Sequence, residues 1–559
     1  MFRLTIETKK YQMNLLKIYF ISLTCFLLLF GYGLQAKDNI YTTDICILGG
    51  SESGFTAAIQ ASRLGKRVVL IEPTGHPGGM LVEGLGKDIR FGSACVIGGI
   101  AREFYIAVEK YYGLQAEFND PTWYSKHEPS VAEEIIEQML EKEKNITIIR
   151  KTRIKEQNGV ERKGNKITKV VLENGLEIEA KVFIDASIEG HLLHLAGITT
   201  ETIREGNKKY GETLNGVQRK NKHKQFAVNV NPYIIESDST SGLIKTIQHG
   251  KLGNHGDPSK YIQAYCYRMC LTKDKENRVL ITKPDSYDPS RYEIYRRYMD
   301  AGGKLFHPRV NRHNGKTDLG SWHDLSANLY GQNWQYPSGS YAVQDSIVQY
   351  HREFTIGLIW FFQHGKGVDS LTRANWEGWG LPKDEFTDND HWPRRLYIRS
   401  GRRMVSDYII TEHNTKQTNP DTISDPVAIA WWPPDMHHAR RLVKDGYAYN
   451  EGFTHVGGNE DWKPFKISYK ATIPKKEECT NIITPTCLSS SYVGYGSIRI
   501  APTFMILGQS TGVAAAIAIN ENIPLQNVPY KILGKILHDE KQILEIPDNW
   551  LEIISSNNH

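Results

Sequence analysis

The chain has 559 residues, 40% of them hydrophobic and 23% charged. That balance excludes disordered and fibrous classes, and the length calls for two or three structural units. The formal net charge of +5 comes from lysines and arginines spread along the chain, and no nucleic-acid module accompanies them, so nucleic-acid binding is not expected.

The first element in chain order is an address signal. Lys9, Lys10 and Lys17 precede the apolar run 18–30, and Gly33-Leu-Gln-Ala36 follows with small residues. This is the layout of a cleavable signal peptide over residues 1–36. The run is too short to span a bilayer, and no later stretch reaches spanning length, so no stable membrane insertion is expected. The mature protein is expected to begin near Lys37 and to act in the periplasm or outside the cell. Of seven cysteines, Cys25 lies in the signal. The other six contain no C-x-x-C pair, so a zinc ribbon or thioredoxin-like site is not expected; buried free thiols are, with one or two disulfides as the alternative.

The mature chain opens with a strand, a turn and a helix in close order. Asp44-Ile-Cys-Ile-Leu48 reads as a buried strand, Gly49-Gly-Ser-Glu-Ser-Gly54 as a tight turn, and 55–64 as a helix closed by Gly65. Val68-Val-Leu-Ile-Glu72 is a second buried strand ending in an acid. This is the order of a dinucleotide-binding unit. Gly49 and Gly50 make the turn, Ser51 and Ser53 keep it small beside a diphosphate, and Gly54 lets the helix pack on the strand. The helix N-terminus offers unpaired N–H groups to phosphate oxygens. Glu72 would accept hydrogen bonds from ribose hydroxyls.

His76-Pro-Gly-Gly-Met80 follows at once. A glycine pair just beyond the second strand suits FAD, along which the backbone must pass closely; Gly78, Gly79 and Met80 are therefore expected at the cofactor. Further on, 177–187 reads as an alternating strand and then a buried strand ending in Asp185-Ala186-Ser187, which returns the chain to the nucleotide fold. Near the end, 497–519 reads as a loop leading into a small-residue helix. Gly508, Gln509 and Gly512 on it are expected to lie close to the cofactor or to another helix.

On these segments, together with 97–104, 210–216 and Tyr397-Ile-Arg-Ser-Gly-Arg-Arg-Met404, the chain resembles the FAD-dependent oxidoreductase family of bacterial, often exported, proteins, and more distantly the fumarate reductase type of flavoprotein. The resemblance covers nearly the whole mature chain. It implies FAD and redox chemistry and leaves the substrate open. The fold class expected is α/β: a Rossmann-type FAD-binding domain with a large inserted α+β substrate domain. The divisions are 37–199 for the first part of the FAD domain, 200–470 for the substrate domain, 471–530 for the return segment and 531–559 for a C-terminal tail.

The middle region supplies the candidates for chemistry. Trp and Tyr number 11 and 29, and many lie between Tyr261 and Trp462, either packing a core or stacking flat ligands such as sugars. Arg399, Arg402 and Arg403 fit a cationic clamp, with Arg399 and Arg402 toward substrate and Arg403 toward the flavin. Asp435-Met-His-His438 sets His437 and His438 beside an acid as candidate bases. Tyr267 shares a strand face with Tyr265. Metal-ligand spacing is missing, so no catalytic metal is expected. Three functions follow. One is an exported FAD enzyme that oxidises a sugar or sugar-derived substrate by hydride transfer to flavin N5. Another is a flavin-dependent reductase of an unsaturated acid. A third is a non-redox polysaccharide lyase or binding protein on this fold. The expected partner is a small molecule or an oligosaccharide, with the electron acceptor and homo-oligomerisation left open.

Overall fold

The computed structural model describes residues 39–86, 89–219, 224–321, 324–455 and 461–556. The expected signal peptide lies outside the described residues. The centre of the nucleotide-side half is a five-stranded parallel sheet. Its strands are β1 (Ile45–Leu48), β2 (Val68–Glu72), β3 (Ile146–Arg150), β4 (Val182–Asp185) and β5 (Ile482–Ile483), in spatial order β5-β4-β1-β2-β3. Every residue of β1, β2 and β4 is buried. Their unbroken apolar runs are what a parallel sheet covered on both faces requires. A second sheet pairs Ile40–Thr42 in parallel with Glu177–Glu179 and continues antiparallel through Lys166–Val171 to Val160–Lys163.

Helix α1 (Glu52–Arg63) connects β1 to β2. It packs along α3 (Ala501–Asn520), which, against the expectation that no later stretch reaches spanning length, is long and apolar enough to cross a bilayer but is 94% buried here as a core helix. Small residues make that contact close. A Cβ on Gly508 would stand 2.1 Å from the Ser53 carbonyl oxygen, and one on Gly512 would stand 2.8 Å from that of Ala57. Thr56 Oγ1 donates across the same seam to the Met505 carbonyl at 2.8 Å.

A first apolar core surrounds this pair of helices and takes in Val427, Ala428, Phe465 and Ile467. The strands Pro426–Ala430 and Phe465–Ser468 therefore pack on the nucleotide side, although both lie within 200–470. A second core gathers Tyr265, Tyr267, Tyr292, Tyr295, Trp376 and Trp392 around α2 (Tyr341–His364). Most of the mid-chain aromatics are thus packing residues. The six cysteines among the described residues are free thiols, five of them buried.

Two buried histidines set an acid limit on this fold. Burial, helped by the Arg312 charge, pushes His127 down from 6.5 to about 3, and burial pushes His351 down to about 4. Each is neutral when folded and takes up a proton when unfolded below about pH 6.5. Stability is therefore full above that pH and falls as the pH drops through the window between the two values. Near pH 5 the loss is about 2 kcal/mol for each histidine. Urea-unfolding midpoints near pH 7.5 and pH 5 check this, and His351→Gln should flatten the drop by its own share.

Candidate functional site

The turn after β1 is fixed from three sides. Gly49 has φ +89°, and a Cβ there would stand 2.8 Å from the Ser187 nitrogen, so the backbone after β4 presses directly on the turn. Ser51 caps α1: its Oγ accepts from Gly54 N at 3.3 Å and donates to the Ala186 carbonyl at 2.6 Å, with Ser53 Oγ 3.0 Å away. Gly78 N donates to the Gly50 carbonyl at 2.6 Å, which brings the glycine pair alongside.

Glu72, at the end of β2, is fully buried. Its Oε2 accepts from Gly50 N at 2.8 Å, and its Oε1 accepts from Thr74 N and Oγ1, both at 2.7 Å. The Arg395 guanidinium bonds the same Oε1. Asp185 is tied by Ser187 N at 3.1 Å, Ser187 Oγ at 2.6 Å and Leu193 N at 2.8 Å, while burial pushes its carboxyl up to about 6. It braces the β4 turn from behind.

These elements wall a cavity of about 500 Å³, the size of a cofactor site. Of the cofactor residues expected from sequence, Gly49, Ser51, Gly79, Met80 and Ser187 line it. Gly50, Ser53, Gly54, Glu72, Gly78, Asp185 and Ala186 build the wall from behind. Four others stand apart from the lining. Gly508 and Gly512 face α1. Gln509 accepts from Ile100 N at 2.9 Å and donates to Gln60 at 2.9 Å. Arg403 forms a buried ion pair with Glu205 at 2.7 Å. Their small size and charge serve packing and pairing inside the protein.

The opposite wall comes from the middle of the chain: Tyr336, Tyr341, the run Arg394–Ile398, and Arg499. Glu83 holds that run, accepting from Arg394 N at 2.6 Å. Burial pushes the Glu83 carboxyl up to about 7 against the pull of Arg394 and Arg395.

The catalytic candidates divide. Arg399 donates to the Ala264 carbonyl and, at 3.2 Å, to Cys266 Sγ; Arg402 donates to the Glu189 carbonyl at 2.9 Å. Each guanidinium thus has a partner inside the protein, while Arg399 Nε is buried without one. Tyr267 stands edge-on to Trp392, ring centres 5.3 Å apart, in the second core. His438 packs against Phe453, its basicity depressed by burial and Arg441. His437 is also buried, and burial with the Arg399 charge holds it well below the ordinary histidine range. It stands two residues beyond Asp435. Arg499, on the cavity wall, reaches Tyr397 Oη at 3.2 Å, the Asp435 carbonyl at 2.7 Å and Asp435 Oδ2 at 3.2 Å. Sequence reading missed Arg395, Tyr336, Glu83 and Arg499; the Arg-Arg pair at 394–395, after the acid-rich 384–390, is the one local signal among them.

The donor set fits a flavin adenine dinucleotide. A helix N-terminus is capped by a small serine, a buried carboxylate ends the second strand, and Lys151, Arg153, Arg394, Arg395 and Arg499 all border the cavity where a dianionic diphosphate needs countercharge. Arg395 Nε is buried there without a hydrogen-bond partner. The fold and site thus define an FAD-binding protein of the dinucleotide-fold class. The chain belongs to the FAD dependent oxidoreductase family, which it matches over residues 44–537.

No curated protein matches the chain. Among solved structures, L-proline dehydrogenase from P. horikoshii is 21% identical with TM-score 0.17, over 30% of this chain and 25% of that one. THI4 from Thermovibrio ammonificans is 20% identical with TM-score 0.23, over 34% and 74%. The p-nitrophenol 4-monooxygenase PnpA from Pseudomonas putida is 14% identical with TM-score 0.21, over 32% and 50%. The chain thus spans a quarter of the first of these proteins and half of the third.

Glu72→Gln tests the cofactor seat. It keeps the shape, removes the charge and leaves Arg395 without its ionic partner. Hydrogen bonds to a charged group contribute about 1.5–3 kcal/mol, so FAD should bind the apoprotein at least about tenfold more weakly. Flavin fluorescence quenching reads this directly.

Proposed function

We propose that the enzyme oxidises a hydroxyl group of a sugar or sugar-derived substrate and that it is exported. One observation carries the oxidation reading: Arg499 on the cavity wall bonds Asp435, and the buried His437 stands two residues beyond it, its basicity lowered by burial and the Arg399 charge. A neutral imidazole accepts a proton at physiological pH. The bound flavin would supply the hydride acceptor at N5. His437 would take the hydroxyl proton, so the alcohol carbon loses a hydride, the oxygen loses a proton, and a carbonyl results. Arg399 and Arg402 bond backbone carbonyls and Arg403 pairs with Glu205, so all three guanidiniums have partners inside the protein. Those partners weigh against the reductase reading.

The test is anaerobic mixing of the purified yellow enzyme with a panel of sugars and sugar acids. Bleaching of the flavin band without dithionite supports the oxidation, and reoxidation of reduced enzyme by unsaturated acids instead would sink it. Export is supported by the basic, apolar and small-residue order of residues 1–36. Mass spectrometry of protein from a periplasmic extract should find a chain beginning near Lys37.

A further inference from the structure

We infer that the face of the two-stranded ribbon Asp435–Met436 and Thr454–His455, with Phe91, Trp432 and Phe453 around it, is a subsite for a hydroxylated ring. This rests on the oxidation reading, whose substrate it describes more closely. Asp435 and His455 are register partners across the ribbon, so their side chains project to the same side. Nδ1 of His455 faces Asp435 Oδ1 at 3.7 Å, an ion-pair distance longer than a good hydrogen bond, and Oδ1 is buried with no close hydrogen-bond partner among the described residues. Burial alone would raise the Asp435 carboxyl, but His455, His437 and Arg499 hold it far below the usual range, so the lone acceptor is a charged one.

An unsatisfied donor sits in the same shell. Trp432 is buried, and its Nε1 has no hydrogen-bond partner. Its ring centre is 5.0 Å from that of Phe91, which is 6.4 Å from His455; Phe453 is 6.4 Å from His455 and 6.2 Å from His437. Phe91 adopts φ +57°, a left-handed conformation that a bulky residue rarely takes, and its carbonyl is pinned by Trp431 Nε1 at 2.7 Å. Strain of this kind persists where surrounding structure enforces it and gathers at binding sites. A buried acceptor and a buried donor left open inside an aromatic shell match a ligand whose hydroxyls give and accept hydrogen bonds while its C–H face lies on rings. Through Arg499, which lines the cofactor cavity and bonds Asp435, the subsite adjoins that cavity.

Holoenzyme titrated with methyl β-D-glucopyranoside, methyl β-D-galactopyranoside and methyl α-D-mannopyranoside, followed by the oxidised-flavin difference spectrum, tests the subsite. At least one glycoside should give a saturating change. Asp435→Asn and Trp432→Phe, each checked for full flavin content, should weaken it about tenfold or more. If none of the three binds, or if binding is indifferent to both substitutions, the subsite is wrong. The failures separate cleanly. A glycoside that binds in the wild type and weakens in both variants, yet never bleaches the flavin, leaves the subsite standing and removes the oxidation reading. A glycoside that bleaches equally well in both variants does the reverse.

Discussion

Gly54→Ala is expected to purify folded but colourless. A Cβ at this position would lie 1.8 Å from the Gly49 carbonyl oxygen, a backbone atom that no rotamer change can move aside. Gly49 has no room to yield, because Ser187 presses on its other side. The turn must open, and the Ser51 cap then leaves both Gly54 N and the Ala186 carbonyl. Loss of such a cap costs about 1 kcal/mol, too little to unfold a chain of this size. The diphosphate seat, however, is made of these same atoms, and FAD affinity should fall at least about 100-fold, or 2.7 kcal/mol. Gly65→Ala is the matched control. Gly65 also has positive φ, but a Cβ there meets nothing within 4 Å, so that variant should lose roughly 1 kcal/mol to backbone strain and stay yellow. The ratio of flavin to protein absorbance, with far-ultraviolet dichroism as the check on folding, decides it. A yellow Gly54→Ala protein would mean that the turn is not where the diphosphate rests.

The parts of the site that one stretch of chain encodes were legible in the sequence, and those assembled across the molecule were not. Strand, turn, helix and acid between Asp44 and Glu72 interact through neighbouring backbone, so spacing alone exposes them. The Asp185–Ser187 segment was readable because a buried apolar strand ending in an acid is a local pattern. By contrast, Arg395 reaches Glu72 from 323 positions away, and no periodicity marks such a partner. The small residues of α3 signalled close approach correctly, but a close approach to α1 and one to a cofactor ask for the same residues; only the placement of Gly508 against Ser53 tells them apart. The arginines at 399, 402 and 403 show the same ambiguity in charge. A cationic run can face a ligand or satisfy buried carbonyls, and here each guanidinium finds its partner inside the protein. Asp435 was visible beside His437 and His438, whereas His455 became its neighbour only through ribbon register.

The histidine assignment stands on a second large effect. His437→Gln is expected to retain its flavin and to slow the reductive half-reaction by about 10²- to 10⁴-fold, the usual contribution of a positioned base. Glutamine fills similar space and can still hydrogen-bond a hydroxyl, but it cannot take the proton. The pH profile distinguishes this from a general disturbance. Burial and the nearby Arg399 charge keep His437 unprotonated well below the ordinary value of 6.5, so the wild-type rate should hold steady as pH falls through that value and decline only further into acid. A base of ordinary basicity would lose about half its rate near pH 6.5. In His437→Gln the acid limb should vanish while a slow, flat rate remains. Stopped-flow bleaching with the sugar that reduces the wild type fastest supplies both readings. A wild-type limb centred near 6.5, or one that survives in His437→Gln, would transfer the role to another group.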